Sequence, residues 1–267
     1  LGNLENAGPL SEGAMTQVRP GGSDFETNVG GEFEFTVQYN LRSRVFNATY
    51  KLLGEAVIPP EYPEAMYLVG EATAYGWDTP GTVAAAEMHK VPDTPGLYWK
   101  TLSLESNKGF KVSNANWGNT NLGFGEIDTF DPAGITVNED GGNMSIATSG
   151  IYAVVLDLRE DETKLSITPA KVYGIGDAFG GWDSGKAENL FTANQTSKTL
   201  ISPALSANGN IRMYVSHSWI SDWWRAEFNV YGTDILYRND GGDQENVPGT
   251  AGQVITLHFD DNTGSIE

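Results

Sequence analysis

Apolar and polar residues alternate with a period of two in short runs: Gly109–Ser113 (GFKVS), Tyr152–Leu158 (YAVVLDL), Ile211–Val215 (IRMYV) and Val254–Phe259 (VITLHF). Each is bounded by Gly, Asn or Asp, and a period of two sends successive side chains to opposite faces of a strand. An earlier run, Gly30–Leu52, alternates Phe33, Phe35, Val37 and Tyr39, breaks at a polar hairpin and returns through Val45. No segment sustains a helical period, and Gly81–His89 (GTVAAAEMH) has room for one short helical turn. The 32 glycines and 12 prolines, with 7 Trp, 11 Tyr and 11 Phe, favour strands joined by tight turns. The pattern predicts an all-β chain of immunoglobulin-like β-sandwiches.

A second regularity sets the domain plan. Tyr67–Asp78 reads YLVGEATAYGWD and Tyr173–Asp183 reads YGIGDAFGGWD, so Trp77 and Trp182 stand 105 positions apart. That spacing is the size of a compact β domain and not of a solenoid turn. Three further landmarks recur in order: Gly109–Trp117 with Ile211–Trp219, Ile135–Asn143 with Ile235–Asp243, and Tyr152–Ile167 with Gln253–Ile266. The chain is therefore expected to contain a partial N-terminal β unit over 1–58, a truncated repeat whose apolar face needs upstream residues or the next domain to cover it. Ser23–Glu26 is expected to be the loop before its hairpin. A proline-rich linker follows over 59–63, within Ile58–Pro63, because consecutive prolines favour an extended path. The first full sandwich occupies 64–169 and the second 170–267, with a short junction at Pro169-Ala170 that restrains the angle between them.

Charge narrows the partners. Sixteen basic residues against 35 acidic ones leave −19 at pH 7, which disfavours nucleic acid and anionic lipid surfaces and leaves neutral ligands open. There is no cysteine, so thiolate metal sites and thiol nucleophiles are excluded. No apolar run approaches the ~20 residues that span a bilayer. The sequence opens at Leu1 without Met, signal segment or lipid-anchor cysteine, so membrane attachment is expected only through a lipid anchor upstream of Leu1.

Most chemical motifs fail on context. Gly180–Lys186 (GGWDSGK) fits GxxxxGK, but Ala187 stands where a Mg²⁺-binding hydroxyl is needed and no helix is expected to follow. Gly174-Ile175-Gly176 lacks the spacing and the βαβ setting of a dinucleotide loop. His89, His217 and His258 are scattered, and no catalytic triad or HExxH can be assembled around them. Acid pairs such as Glu126/Asp128 and Asp260/Asp261 do not by themselves face each other across a cleft. The Asp-Gly-Gly turns at Asp140 and Asp240 lack the alternating oxygens of a calcium loop and read as plain turns, so no metal and no cofactor are expected.

Aromatic residues carry more information. A flat ring offers an apolar face to the C–H face of a sugar while nearby polar groups meet its hydroxyls. Trp77, Lys111 and Trp117 in the first repeat line up with Trp182, Arg212 and Trp219 in the second, where Trp223, Trp224 and Tyr231 add aromatic surface. For Trp77 and Trp182 two roles are open, closing the end of a sandwich or meeting a ligand; Trp99, mid-strand beside Tyr98, reads as packing.

The tandem GWD turns, the FK and IR strands with their Trp loops, and the closing hairpins resemble the SusE/SusF outer-membrane starch-binding lipoproteins over roughly residues 30 to 267. The resemblance implies CBM-like sandwiches that bind polysaccharide without catalysis at the cell surface, beside an outer-membrane glycan transporter complex. It implies carbohydrate sites at Trp77, Lys111 and Trp117 and at Trp182, Arg212 and Trp219; Trp223 and Trp224 go beyond the matched pattern. An adhesive β-sandwich array with buried aromatics and an accessory module of a glycan-degrading enzyme are the rival readings.

Overall fold

The computed structural model describes residues 2–3, 12–19, 31–55, 62–118, 120–160, 162–239 and 241–267. Leu1, the Ser23–Glu26 loop, most of the linker and Asp240 lie outside the described residues. The chain forms two compact units, Leu1–Glu61 and Tyr62–Glu267.

In the first unit, strand Gly31–Asn40 pairs antiparallel with Val45–Glu55, from Asn40↔Val45 to Gly31↔Glu55 with a bulge at Glu32/Phe33. The Asn40 side chain accepts the Arg42 and Ser43 N–H groups, which closes the expected polar hairpin. Val45–Glu55 also pairs with Thr16–Arg19, which carries Gly2–Asn3 at its far edge. Val18, Ala48 and Tyr50 are buried, whereas Val37, Tyr39 and Leu41 are exposed.

The second unit is all-β, its only helical segments being 3-10 turns among the described residues. The single turn expected in Gly81–His89 is resolved as two, Pro80–Thr82 and Ala84–Ala86, before the short strand His89–Lys90. In the first repeat one layer orders Tyr67–Gly70, Phe110–Ser113, Asn143–Ile146 and Val137–Asp140. The other orders His89–Lys90, Leu97–Leu104, Gly150–Asp157, Lys164–Pro169 and the parallel strand Thr129–Phe130. In the second repeat the layer Val172–Ile175, Gly209–Val215, Glu227–Tyr231, Asp234–Tyr237 runs into the layer Thr263–Ile266, Ile255–His258, Thr199–Ile201, Thr192–Asn194 through the single pairing Asp234↔Thr263.

The two sandwiches share a core. Met66, Leu68, Tyr98, Leu102, Phe110, Val154 and Leu156 fill the interior of the first. The opposite face of the same sheet presents Leu97, Trp99, Ile151, Ala153 and Val155, and these pack in one cluster with Met213, Phe228, Leu257 and Phe259 of the second repeat. Strand Leu97–Leu104 is consequently buried at every position, as a sheet covered on both faces must be. The angle between repeats is set by this apolar interface as well as by the short junction.

Polar contacts pin its edges. The Ser103 N–H donates to Asp260 Oδ1 at 2.7 Å, Lys198 Nζ lies 3.1 Å from Glu105, and the His89 ring stacks on Tyr237 at 3.4 Å. The Trp219 N–H donates to His217 Nδ1, so the proton of the neutral ring is on Nε2, which donates to Ser166 Oγ at 2.9 Å; that hydroxyl in turn donates to Asp131 at 2.6 Å. Ser166 is fully buried and gives its proton to a carboxylate, so this trio is structural and not a nucleophilic triad.

Burial lowers the His217 pKa to about 4, against the opposing pull of Asp131, and burial also lowers that of His89. Both rings bind more protons unfolded than folded as pH falls below the ordinary histidine value near 6.5, so stability drops from that pH toward about 4. Thermal melts at pH 7 and 4.5 are expected to differ by about 1–3 kcal/mol from His217. His217→Gln, which keeps a donor for Ser166, flattens that slope; an unchanged slope would refute the assignment.

Candidate functional site

Both GWD turns are built the same way. Gly70 N–H donates to Gly76 O at 2.8 Å, and Gly176 N–H to Gly181 O at 2.9 Å. Gly70 (φ +141°) and Gly176 (φ +110°) have conformations that side chains resist, and a Cβ would meet Gly109 O at 2.4 Å or Asn210 O at 2.5 Å. Each closed turn lies on the adjacent strand, with Val69 opposite Lys111 and Ile175 opposite Arg212, so the two cations occupy equivalent register positions.

Each turn ends on an exposed tryptophan, Trp77 at 43% and Trp182 at 47%. In the first repeat Trp117 faces Trp77 at 6.3 Å between ring centroids, with planes 36° apart. Trp117 has a left-handed backbone (φ +57°), a strained choice for a bulky residue, and the next N–H, of Gly118, is fixed by Asn114 Oδ1 at 2.8 Å. In the second repeat the partner of Trp182 is Trp223, at 6.4 Å and 48°.

Trp219 is not the counterpart of Trp117. Its ring is partly buried against the shared core and edge-on to His217 at 5.8 Å. The return strand explains the shift. Val112 pairs with Leu122 and Met213 with Phe228, and both Trp117 and Trp223 stand five positions before those residues. The second loop carries its extra residues on the side of the outgoing strand, so counting forward from the cation lands on Trp219 and not on the ring beside Trp182.

The cations also differ. Lys111 is partly exposed, lies against Gly123 and makes no ion pair or hydrogen bond among the described residues. Arg212 is 3% exposed; it pairs with the buried Glu227 at 2.7 Å and donates to Gln244 O and to Asn246 Oδ1 at 3.2 Å. It lies at the base of a cleft of about 580 Å³, also lined by Trp182, Trp223, Trp224, Arg238 and Asp243. Arg238 bonds Glu227 at 2.8 Å, neutralising its second oxygen. Trp224 lines the cleft too, but the Arg225 and Arg238 guanidinium groups lie over its ring at 4.6 and 4.9 Å. Arg238 and Asp243 were not singled out from the sequence although they fall within the repeated landmark Ile235–Asp243; what links them to Arg212 is tertiary contact, Asp243 at 3.8 Å and Arg238 through the shared Glu227.

The remaining motifs resolve simply. The Gly180–Lys186 stretch runs into a three-residue 3-10 turn, Ala187–Asn189, and offers no helix N-terminus to phosphate. After Asp140, Gly141 and Gly142 have φ of +57° and +86°, a two-residue hairpin turn.

Two β-sandwiches in tandem, each pairing an exposed turn tryptophan with a partly buried one and carrying a cation at the same register position of the adjacent strand, have the architecture of tandem carbohydrate-binding modules. A family model described as SusF/SusE starch specific CBMs matches residues 65–164 and 171–265, and the chain belongs to that family. It is 34% identical over 218 residues, 77% of its length, to outer membrane protein SusF of Bacteroides thetaiotaomicron, covering 44% of that protein. The crystal structure of SusF from Bacteroides thetaiotaomicron superposes with a TM-score of 0.71 at 29% identity, over 86% of this chain and 51% of that one. The chain thus spans about half the length of the relatives it matches.

Proposed function

We propose that the two repeats hold a starch-like α-glucan at the bacterial outer membrane surface, without cleaving it, and keep it near a separate uptake system. The carrying observation is the ring pair in each repeat, one tryptophan exposed and one partly buried, with centroids 6.3 and 6.4 Å apart and planes tilted by 36° and 48°. Successive sugar faces turn along a helical α-glucan, and tilted rings follow that turn better than the flat ribbon of a β-linked chain. Trp77 and Trp117 form one platform with Lys111 free to meet hydroxyls; Trp182 and Trp223 form the other, with Arg238 and Asn246 at its edge. The family is one of starch-specific modules and SusF is an outer membrane protein, which supports starch as the ligand and the outer membrane as the location.

A binding role also fits the cleft's lining, where Asp243 is the one carboxylate among the described residues and lies 3.2 Å from Arg238, whereas glycoside hydrolysis uses two facing carboxyl groups. An open stacking platform buries little area, so each site is weak. A shared core that fixes both sites to one body gains avidity on a long polymer.

Affinity electrophoresis in soluble starch tests the reading. The Trp77→Ala/Trp182→Ala double variant is expected to lose retardation. In a Trp77→Ala background Trp223→Ala weakens binding about tenfold, roughly the 1.4 kcal/mol a stacking ring supplies, and Trp219→Ala does not. Full retardation of the double variant would overturn the proposal.

A further inference from the structure

The second repeat's site is tied to the first repeat through one side chain, Arg225. Trp223 and Trp224 open a single 3-10 turn, Trp223–Ala226, whose preceding Asp222 makes no side-chain capping bond. Such a turn has little stability of its own. Arg225, on the same turn, has a side chain only 18% exposed and points across the repeat interface. Its Nη1 donates to Pro92 O and, at 2.9 Å, to Thr94 Oγ1; its Nη2 lies 3.9 Å from Asp93. The same guanidinium lies over Trp224 at 4.6 Å, while Nε is 3.7 Å from Asp222.

The acceptor side is equally defined. Pro92–Thr94 forms a tight turn closed by the Thr94 N–H to Val91 O at 3.1 Å, with Asp93 at φ +54°. A continuous line of contact therefore runs from this turn through Arg225 to Trp224, on to Arg238 at 4.9 Å, and by way of Glu227 to Arg212 beneath the cleft.

We propose that Arg225 is a positioning residue through which the 92–94 turn of repeat one holds the Trp223-Trp224 turn in its binding geometry, so that glycan affinity at site two depends on repeat one. The proposal rests on repeat two being a glycan site. Arg225 touches no ligand in this scheme; it limits the orientations of the turn that carries Trp223 and thereby lowers the ordering cost of binding. The two repeats stay together without it, because Trp99, Leu97 and Val155 supply the apolar interface. Binding and folding are thus separable at this residue.

The test uses the full chain with site one silenced by Trp77→Ala, titrated with soluble starch, alongside thermal melts and near-ultraviolet circular dichroism. Arg225→Ala is expected to weaken binding about three- to tenfold and to reduce the tryptophan dichroism, with little change in melting midpoint. Arg225→Lys, which keeps charge and reach but not the flat stack, is intermediate. Asp93→Asn/Thr94→Val, altered only in repeat one, weakens site two in the same direction, and it serves if Arg225→Ala does not fold. Equal affinity of the parent and these variants overturns the coupling while leaving the glycan site standing. A Trp77→Ala parent that binds no starch overturns the reading of repeat two, and this inference with it.

Discussion

Arg212→Ala is expected to cost about 3 kcal/mol of stability, lowering the melting midpoint by roughly 5–10 °C, even though the residue lines a binding cleft. The reason is its partner. Glu227 is 1% exposed and divides its carboxylate between Arg212 at 2.7 Å and Arg238 at 2.8 Å. Removing the deeper arginine leaves a buried charge half compensated and also strips the donors that hold Gln244 O and Asn246. The loss falls at the low end of the range for breaking a buried pair because Arg238 remains. Adding Glu227→Gln should return part of it, since no uncompensated carboxylate is then left. Lys111→Ala, at the equivalent register position, should weaken glycan binding with a stability change below about 0.5 kcal/mol, because no ion pair is broken. Equal melting behaviour of the two variants would refute the distinction.

Trp99→Ala carries the other large effect, about 3–5 kcal/mol, the usual cost of emptying a large aromatic site in a packed core. Trp99 is 2% exposed, with His89 at 5.0 Å and Tyr237 at 5.6 Å, so the void opens between the repeats and not within one of them. Calorimetry of Tyr62–Glu267 within the full chain should accordingly show one cooperative transition become two. Retention of a single transition with a small shift would mean that the shared cluster does not couple the repeats. Trp223→Ala, at a partly buried ring outside the shared core, should leave the transition nearly unmoved.

Much of this was legible from local pattern. The all-β class followed from period-two runs, and the repeat from four landmarks in order. Gly70 and Gly176 marked the turns because only glycine tolerates their φ with a neighbouring carbonyl so close. Trp77 and Trp182 were found together because the turn that presents them is local. The loop after the central strand was harder. Loop residues follow no periodicity, so alignment from the outgoing strand favoured Trp219, and only pairing with the return strand identified Trp223 as the ring beside Trp182.

The sequence by itself determined the strands, the duplicated unit, the two turn tryptophans as candidates, whose exposure the fold then showed, and a charge suited to a neutral ligand. Periodicity, glycine sterics and composition are properties of neighbouring residues and need no knowledge of the fold. Tertiary structure decided which second tryptophan completes each platform, that Lys111 is free while Arg212 is committed to Glu227, and that Arg225 belongs to both repeats. Those outcomes depend on contacts between residues distant in sequence. A cation's availability is set by the carboxylates that packing brings to it, and an arginine's role by the carbonyl opposite it, which no local pattern encodes.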